Sequence, residues 1–214
     1  MKLEDEEREE QEQQEIQIPL SMLPQESYQE DFRRFVVEMD ENDIAVANVY
    51  LIEDIKEPMH YLPILKMLVQ MKETDTVIFH INSAGGYVSG ALTLTNAIKE
   101  TKANTIANVT AAASAATLIT FACDKVICHF ETEFMIHDRT SGSYGTGKEN
   151  RKRAQHEDSY FMHLTSKFYK GFLSQDEIVK INTDADTEWF FGEELNKRMK
   201  RWAKINGTKY EYKQ

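Results

Sequence analysis

The sequence predicts an α/β fold that is built around a largely parallel sheet. The main observation is that, from residue 44 onward, segments with the pattern of strands alternate with segments that have helical spacing of apolar residues. The second is the composition, because hydrophobic residues make up 41% and charged residues 29% of the 214 residues. This balance is typical of a globular protein, and the length allows one sizeable domain or at most two small ones.

The first half of this region contains two strands, each followed by a helix. Residues 44–52 (IAVANVYLI) are rich in β-branched and apolar residues, and residues 61–71 have helical spacing of leucines. Residues 76–82 (TVIFHIN) alternate as a strand does, and the sequence SAGG ends them. The helix that follows has an apolar face, which consists of Val88, Ala91, Leu92, Thr95 and Ile98.

The second half continues the same alternation. Residues 104–109 (NTIANV) predict a strand, and residues 125–130 (KVICHF) and 133–137 (EFMIH) predict two more short strands. A long helix is expected from about Lys148 to Tyr169. The sequence SQDE at 174–177 has the form of a capping box, which predicts the start of another helix.

The amino-terminal 43 residues differ from the rest of the chain. Residues 1–15 are almost entirely Glu, Gln and Asp, and they predict a disordered acidic tail. Residues 16–43 begin with the apolar patch IQIPLSMLP, which predicts either an edge strand or a contact surface for another subunit. The first residues lack the apolar core of a signal peptide, so we expect a cytoplasmic protein.

Charge and composition disfavour several classes of function. The formal net charge of -11 repels a phosphate backbone, so we expect no nucleic-acid partner. Residues 103–123 carry no charge, but their Ala, Thr, Asn and Ser gain little from lipid, so we expect no membrane span. Cys123, Cys128, His129 and His137 lack the spacing of a metal site, and two free thiols fit a reducing compartment. We therefore expect no metal and no cofactor.

Three segments contain residue types that can carry out chemistry. Residues 81–90 (INSAGGYVSG) end a strand with two glycines, which either expose backbone N–H groups or form a tight turn. Ser114 lies among alanines between a predicted strand and a predicted helix. It is either a nucleophile beside the first N–H groups of that helix or a small packing residue. His137 ends an apolar strand. It is either a general base or an edge histidine whose ring nitrogens already have hydrogen-bond partners. Taken singly, the three segments leave these alternatives open.

Together and in this order, INSAGGYVSGA, TAAASAATL and FMIHD resemble the proteolytic subunit of the Clp protease, ClpP, over roughly residues 45–200. The resemblance implies that Ser114 attacks the peptide carbonyl. It implies that His137 takes the hydroxyl proton and later gives it to the leaving amine. The backbone N–H groups of Gly86 and Ala115 match the oxyanion hole of the family.

The resemblance identifies the third member of the triad less directly. In the family an Asp precedes an aromatic residue that leads into a Glu-rich helix, and here the matching ending runs from Trp189 to Leu195. The aspartate comes one residue early, at Asp186, and we predict that Asp186 orients His137. Asp184 is the alternative, and Thr187 falls at the position if no residue has been inserted.

The resemblance also implies an architecture and partners. Residues 44–214 would form a peptidase domain with the ClpP/crotonase-like fold of repeated strand-strand-helix units, with the substrate extended along the strand near Tyr87. Residues 141–172 resemble the family's handle, a glycine-rich strand and a protruding helix that join two rings face to face, in the family's usual form a tetradecamer. The helix carries an apolar stripe that is too large for a solitary solvated helix, which favours a contact with another subunit; its members are Tyr160, Phe161, Met162, Leu164, Phe168 and Tyr169. An AAA+ unfoldase of the ClpX or ClpA type would feed in unfolded polypeptides, and residues 16–43 would replace the loops at the axial pore.

The sequence departs from the family beside the predicted catalytic residues. Ala115 replaces the usual methionine, and Asp138 and Arg139 replace the commoner Gln-Pro, which changes the walls of the substrate pocket. Together with the displaced aspartate, this keeps open a second hypothesis, an inactive ClpP-like subunit with a structural or regulatory role in a mixed ring. A third hypothesis is a crotonase-like acyl-CoA enzyme, which shares the fold and needs no serine nucleophile.

Overall fold

The computed structural model describes residues 35–184 and 186–213, and these residues form one sheet of seven strands and six α-helices. The strands are β1 (Phe35–Met39), β2 (Ala45–Leu51), β3 (Thr76–Ser83), β4 (Asn104–Ala113), β5 (Lys125–His137), β6 (Thr187–Phe191) and β7 (Lys209–Lys213). The helices are α1 (Leu62–Gln70), α2 (Val88–Glu100), α3 (Ala115–Thr120), α4 (Gly147–Phe168), α5 (Gln175–Thr183) and α6 (Gly192–Asn206). A short 3-10 helix, Pro58–Tyr61, precedes α1.

The sheet has the order β1-β2-β3-β4-β5-β6, and β7 pairs with the first part of β5. Strands β2 to β5 are parallel to one another, whereas β1 and β6 are antiparallel to their neighbours. This topology confirms the predicted α/β class with a largely parallel sheet. Because β3, β4 and β5 are parallel, their carboxyl ends lie at one edge of the sheet, where the loops that follow them meet.

The core lies between the helices and one face of the sheet. In β3, Val77, Phe79 and Ile81 are buried while the residues between them are not, as the alternation predicted. An aromatic cluster fills the core near β5, with ring centroids 4.7 to 6.0 Å apart. Its members are Phe121, Phe134, Phe172, Phe190 and Trp202.

The predicted elements between residues 44 and 109 are all present, but β4 is longer than the sequence indicated. It continues through the alanine-rich segment to Ala113, because residues 111–113 pair with β5 and residues 111–112 also pair with β3. Pairing on both sides satisfies the backbone groups of a segment whose side chains would equally suit a helix. The alanines are therefore strand residues up to the position before Ser114.

The prediction of two short strands at 125–130 and 133–137 is wrong, because both belong to the single strand β5. The register with β4 jumps between them, from Val109 opposite Cys128 to Ala111 opposite Glu133. Thr132 bridges this irregularity, since its hydroxyl accepts from the N–H of His129 at 2.7 Å and donates to the carbonyl of Val109 at 2.7 Å. The boundary between the two predicted strands is thus an irregularity inside one strand.

The predicted long helix is present as α4, but the glycine-rich strand expected before it is not. Residues 140–146 form no strand, because a strand needs a hydrogen-bonded neighbour and no described strand pairs with this segment. The amino-terminal half of α4 is almost entirely exposed. At its other end Leu164 and Phe168 are buried in the core of the same chain, together with Tyr169. Part of the apolar stripe that favoured a contact with another subunit is therefore explained by packing within the chain.

Only the last part of the predicted amino-terminal segment 16–43 belongs to the described residues. It contains β1, which forms the edge of the sheet and pairs with β2. The acidic tail and the patch IQIPLSMLP lie outside the described residues. Within the described ranges, none of the helices has the length and apolar character needed to span a membrane.

An ion pair joins α5 to α6 and gives a testable dependence of stability on pH. Ser174 and Glu177 form the predicted capping box, and Arg198 donates two hydrogen bonds to the Glu177 carboxylate at 2.7 and 3.0 Å. These bonds lower the pKa of Glu177 from its ordinary value of 4.5 to about 2. The ionised carboxylate therefore stabilises the fold fully above about pH 4.5, and the stabilisation is lost as the pH falls towards 2.

We expect Glu177→Gln to lower the free energy of unfolding at pH 7 by about 1–3 kcal/mol, because Arg198 loses its charged acceptor. Urea unfolding of both proteins from pH 7 down to pH 3 should show the difference narrowing below about pH 4.5. Glu38→Gln is the matched control, since Glu38 is exposed on β1 and forms no ion pair with a described residue. A difference that is equally large at pH 3 and pH 7 would show that the ion pair is not its cause.

Candidate active site

Ser114 lies at the sharp turn between β4 and α3, at the carboxyl edge of the sheet. Its backbone has φ 52° and ψ -124°, and only one other described residue besides the glycines, Asp43, has a positive φ. Such a conformation costs roughly 1–3 kcal/mol and persists only where the surroundings impose it. Here the Ser114 N–H donates to the carbonyl of Met135 on β5 at 2.7 Å, and the buried Ala115 and Ala116 begin α3.

The register of β4 and β5 brings His137 to Ser114. Ala113 pairs with Met135, so the last residue of β5 lies beside the turn that follows β4. His137 Nε2 is 2.8 Å from Ser114 Oγ, which is hydrogen-bond distance. Both side chains are half-buried, so this hydroxyl and imidazole are accessible from one side. This is the geometry that a nucleophile and its general base require.

The glycine turn after β3 packs directly against Ser114. Gly85 has φ 98°, and a Cβ on it would lie 2.7 Å from Ser114 Cβ and 3.2 Å from the Ala115 nitrogen. Gly86 has φ 140°, and a Cβ on it would lie 2.3 Å from the carbonyl oxygen of Ile55. Only glycine allows two backbone segments to approach this closely. The sequence SAGG therefore forms both a tight turn and one wall of the site.

Two backbone N–H groups at this wall have no acceptor among the described residues. The N–H of Ala115 is at the first position of α3, where no intrahelical acceptor exists. Ile55 bonds to the carbonyl of Gly85 and to the N–H of Tyr87, so the N–H and carbonyl of Gly86 point to the other side. Gly86 and Ala115 are the residues predicted to form an oxyanion hole, and the structure places their segments next to Ser114.

The structure does not join Asp186 to His137. Asp186 is exposed, and its carboxylate accepts the backbone N–H of Thr187 at 2.9 Å. Asp184 is exposed as well and accepts from the hydroxyl of Thr183 at 2.9 Å. No described group forms a hydrogen bond with the second ring nitrogen, Nδ1, of His137. Thr187, in contrast, is the residue that pairs with His137 across β5 and β6.

Two connections around the site were not predicted from the sequence. The Thr117 hydroxyl donates to the Ser114 carbonyl at 2.6 Å and is 2.7 Å from the Tyr169 hydroxyl, which ties the turn to the end of α4. Burial raises the pKa of Tyr169 to about 12, so this hydroxyl stays protonated. Arg139, two residues after His137, forms ion pairs with Glu157 and Asp158 of α4. Neither of these two connections has a local sequence signal, because Tyr169 lies far from Thr117 in the chain and the partners of Arg139 lie far from Arg139.

Two connected depressions lie beside Ser114 and His137. A small apolar recess touches both residues and is lined by Val88, Leu118, Phe161, Leu164 and Tyr169. It adjoins a larger groove of about 560 Å³, whose lining includes Gly86, Tyr87 and Arg139. The exposed Tyr87 ring forms part of this groove.

The cysteines and histidines that were considered as metal ligands are not gathered into a cluster of three or more in the described part of the chain. Among the residues that the structure describes, no group of three His, Cys, Asp or Glu side chains could hold a metal ion. Cys123 and Cys128 are buried, and burial raises the pKa of the Cys128 thiol to about 12. Protonated thiols in the core are neither nucleophiles nor good metal ligands.

Comparison with known proteins agrees with this fold. The sequence matches the family model of the Clp protease over residues 40–195. Among solved structures, an asparagine-to-aspartate mutant of ClpP1 from Listeria monocytogenes is similar, with a TM-score of 0.53 and 22% sequence identity, covering 71% of this chain and 86% of that chain. No match is found among curated proteins. The solved structure confirms the ClpP-like fold. Because the family model matches well over half of the residues of this chain, the chain belongs to the Clp protease family.

Proposed function

We propose that the protein is a serine endopeptidase that hydrolyses peptide bonds of unfolded polypeptides. The observation that carries this proposal is the 2.8 Å contact between Ser114 Oγ and His137 Nε2, at a strained turn beside two unbonded backbone N–H groups. A hydroxyl that served only for packing would need neither the strained backbone nor the histidine. Membership of the Clp protease family supports the same chemistry.

In the proposed mechanism His137 removes the proton from the Ser114 hydroxyl as its oxygen attacks the carbonyl carbon of the peptide. The negative charge that develops on the carbonyl oxygen is stabilised by the N–H groups of Gly86 and Ala115. His137 then gives the proton to the leaving amine, which departs and leaves an acyl-enzyme. A water molecule hydrolyses this ester by the same two steps, with His137 again as the base.

The free edge at Gly86 supports binding of an extended substrate. Ile55 occupies one edge of the segment 85–87, and the N–H and carbonyl of Gly86 face the opposite side. An extended polypeptide on that side can form main-chain hydrogen bonds, which do not depend on its sequence. The adjoining groove of about 560 Å³ would take the side chains. Substrates must therefore be unfolded at the cleavage site.

We further propose that copies of the chain form stacked rings, with the serines inside a chamber that an AAA+ unfoldase supplies. Family membership supports this assembly, and so does the exposed amino-terminal half of α4, which extends from the folded core. We expect the native mass to correspond to a ring or a double ring in analytical ultracentrifugation. A monomer at every concentration and salt concentration would contradict the proposed assembly.

The experiment that tests the catalytic proposal is labelling with a fluorophosphonate probe, which reacts covalently with activated serines. We expect stoichiometric labelling of the assembled protein, with the label on the peptide that contains Ser114 by mass spectrometry. Ser114→Ala is the control and should remain unlabelled while keeping the native mass. An assembled protein that does not react would favour the inactive ring subunit, and binding of acyl-CoA in its place would favour the crotonase-like enzyme.

A further inference from the structure

This inference rests on the proposed peptidase function and concerns the group that orients the catalytic base. We propose that Thr187, and not an aspartate, is the positioning residue for His137. Its hydroxyl would accept a hydrogen bond from Nδ1–H of the imidazole. This would hold the ring with the basic Nε2 towards Ser114 Oγ, where the structure places it at 2.8 Å.

The register of the sheet carries the proposal. β5 and β6 are antiparallel, and their five pairs end with His137 opposite Thr187. Side chains of directly opposite residues lie on the same face of the sheet, with Cβ atoms about 4.5–5.5 Å apart. This distance is short enough for a threonine hydroxyl to reach an imidazole nitrogen. The Thr187 hydroxyl and His137 Nδ1 both form no hydrogen bond with a described residue in this structure, so each is available to the other.

The two carboxylates next to His137 and Thr187 form hydrogen bonds with other groups, and the strand pairing places neither of them opposite His137. Asp186 precedes β6, is exposed and caps the N–H of Thr187 at 2.9 Å. Because Asp186 lies outside β6, the strand pairing does not place it opposite His137. Asp138 follows His137, but its carboxylate accepts the backbone N–H of Arg139 at 2.7 Å and contacts the guanidinium of the same residue.

A hydroxyl at this position has a chemical consequence. A carboxylate would orient the imidazole and also stabilise its protonated form, whereas a neutral hydroxyl can only orient it. The base would therefore work without electrostatic support from a third residue. It follows that a carboxylate introduced at residue 187 should make the peptidase faster, and that removal of the hydroxyl should make it slower.

The test uses the full-length, assembled protein and a fluorogenic peptide. We expect Thr187→Val to lower kcat/KM at least about 10-fold, Thr187→Ser to stay within about twofold of the parent, and Thr187→Asp to raise kcat/KM. Asp186→Asn is the competing variant, and we expect less than a twofold change. Thr76→Val, at the opposite end of the sheet, is the control for loss of a strand threonine. A larger loss in Asp186→Asn than in Thr187→Val would overturn the proposal.

A second measurement does not depend on activity. In an NMR titration of the histidine side chains, the midpoint of the His137 ring should move upward by about one pH unit or more in Thr187→Asp, because a carboxylate then lies beside the imidazole. The midpoint should stay in place in Asp186→Asn. The reverse pattern would show that Asp186 is the partner of His137. If the parent protein fails to label at Ser114, the proposed function fails, while the titration still decides the role of Thr187.

Discussion

Replacement of His137 by glutamine is expected to lower kcat for peptide hydrolysis by about 10⁴- to 10⁶-fold, because Ser114 then has no group to accept its proton. His137 is half-buried and its ring contacts the Ser114 hydroxyl, so the free energy of unfolding should change by less than about 1 kcal/mol. Turnover of a fluorogenic peptide and urea unfolding, measured on the same preparation, separate the two effects. We also expect slow or absent labelling of Ser114 by the fluorophosphonate.

His129→Gln is the matched control for this prediction. His129 lies on the same strand, is half-buried and bonds to the side chain of Asn108 at 3.0 Å, away from Ser114. We expect it to keep the turnover of the parent protein. If His137→Gln retains more than about a tenth of the activity, the 2.8 Å contact is not the catalytic one and another base must be sought.

Replacement of Gly85 by alanine is expected to remove most of the peptidase activity and to destabilise the fold. The added Cβ would lie 2.7 Å from both the carbonyl oxygen of Ala113 and Cβ of Ser114, and the backbone has φ 98°. Strain and overpacking should lower the free energy of unfolding by about 2–4 kcal/mol. Displacement of the glycine turn should lower kcat/KM at least about 100-fold, because it moves Ser114 and the N–H groups beside it.

Gly142→Ala tests whether the effect belongs to the site. Gly142 precedes α4, and a Cβ there would contact nothing within 4 Å. We expect Gly142→Ala to retain the activity and stability of the parent protein. The activity of Gly85→Ala is measured at a temperature where circular dichroism shows that the variant is folded. This comparison distinguishes misplacement of the site from unfolding. Full activity in folded Gly85→Ala would mean that the glycine turn is not part of the catalytic machinery.

Much of the fold and of the candidate site could be predicted because the signals are local. The alternation in β3, the capping box at Ser174 and the glycines before α2 depend on residues a few positions apart. The order of the Ser-Ala-Gly-Gly turn, the serine among alanines and the strand-ending histidine was sufficient to indicate the family. Their catalytic roles stay predictions until the labelling and kinetic experiments are done.

What failed or stayed open depends on contacts between distant segments. The sequence predicts one strand before Thr132 and another after it, yet a single strand continues because the Thr132 hydroxyl bridges to β4. The apolar side of α4 suggested a second subunit, yet part of it packs into the core of its own chain. In each case the sequence identifies the residue, but the group that the residue contacts belongs to a distant segment of the chain.

Periodicity and turn chemistry along the chain were enough to establish the α/β class, most of the elements between residues 44 and 183, and the residue types available for catalysis. Which of these residues meet depends on the tertiary structure. The pairing of β4 with β5 places His137 at Ser114, and the pairing of β5 with β6 places Thr187, rather than Asp186, opposite His137. A shift of one residue in a strand pair moves every side chain to the other face, and this register is set by hydrogen bonds between strands that are distant in the sequence.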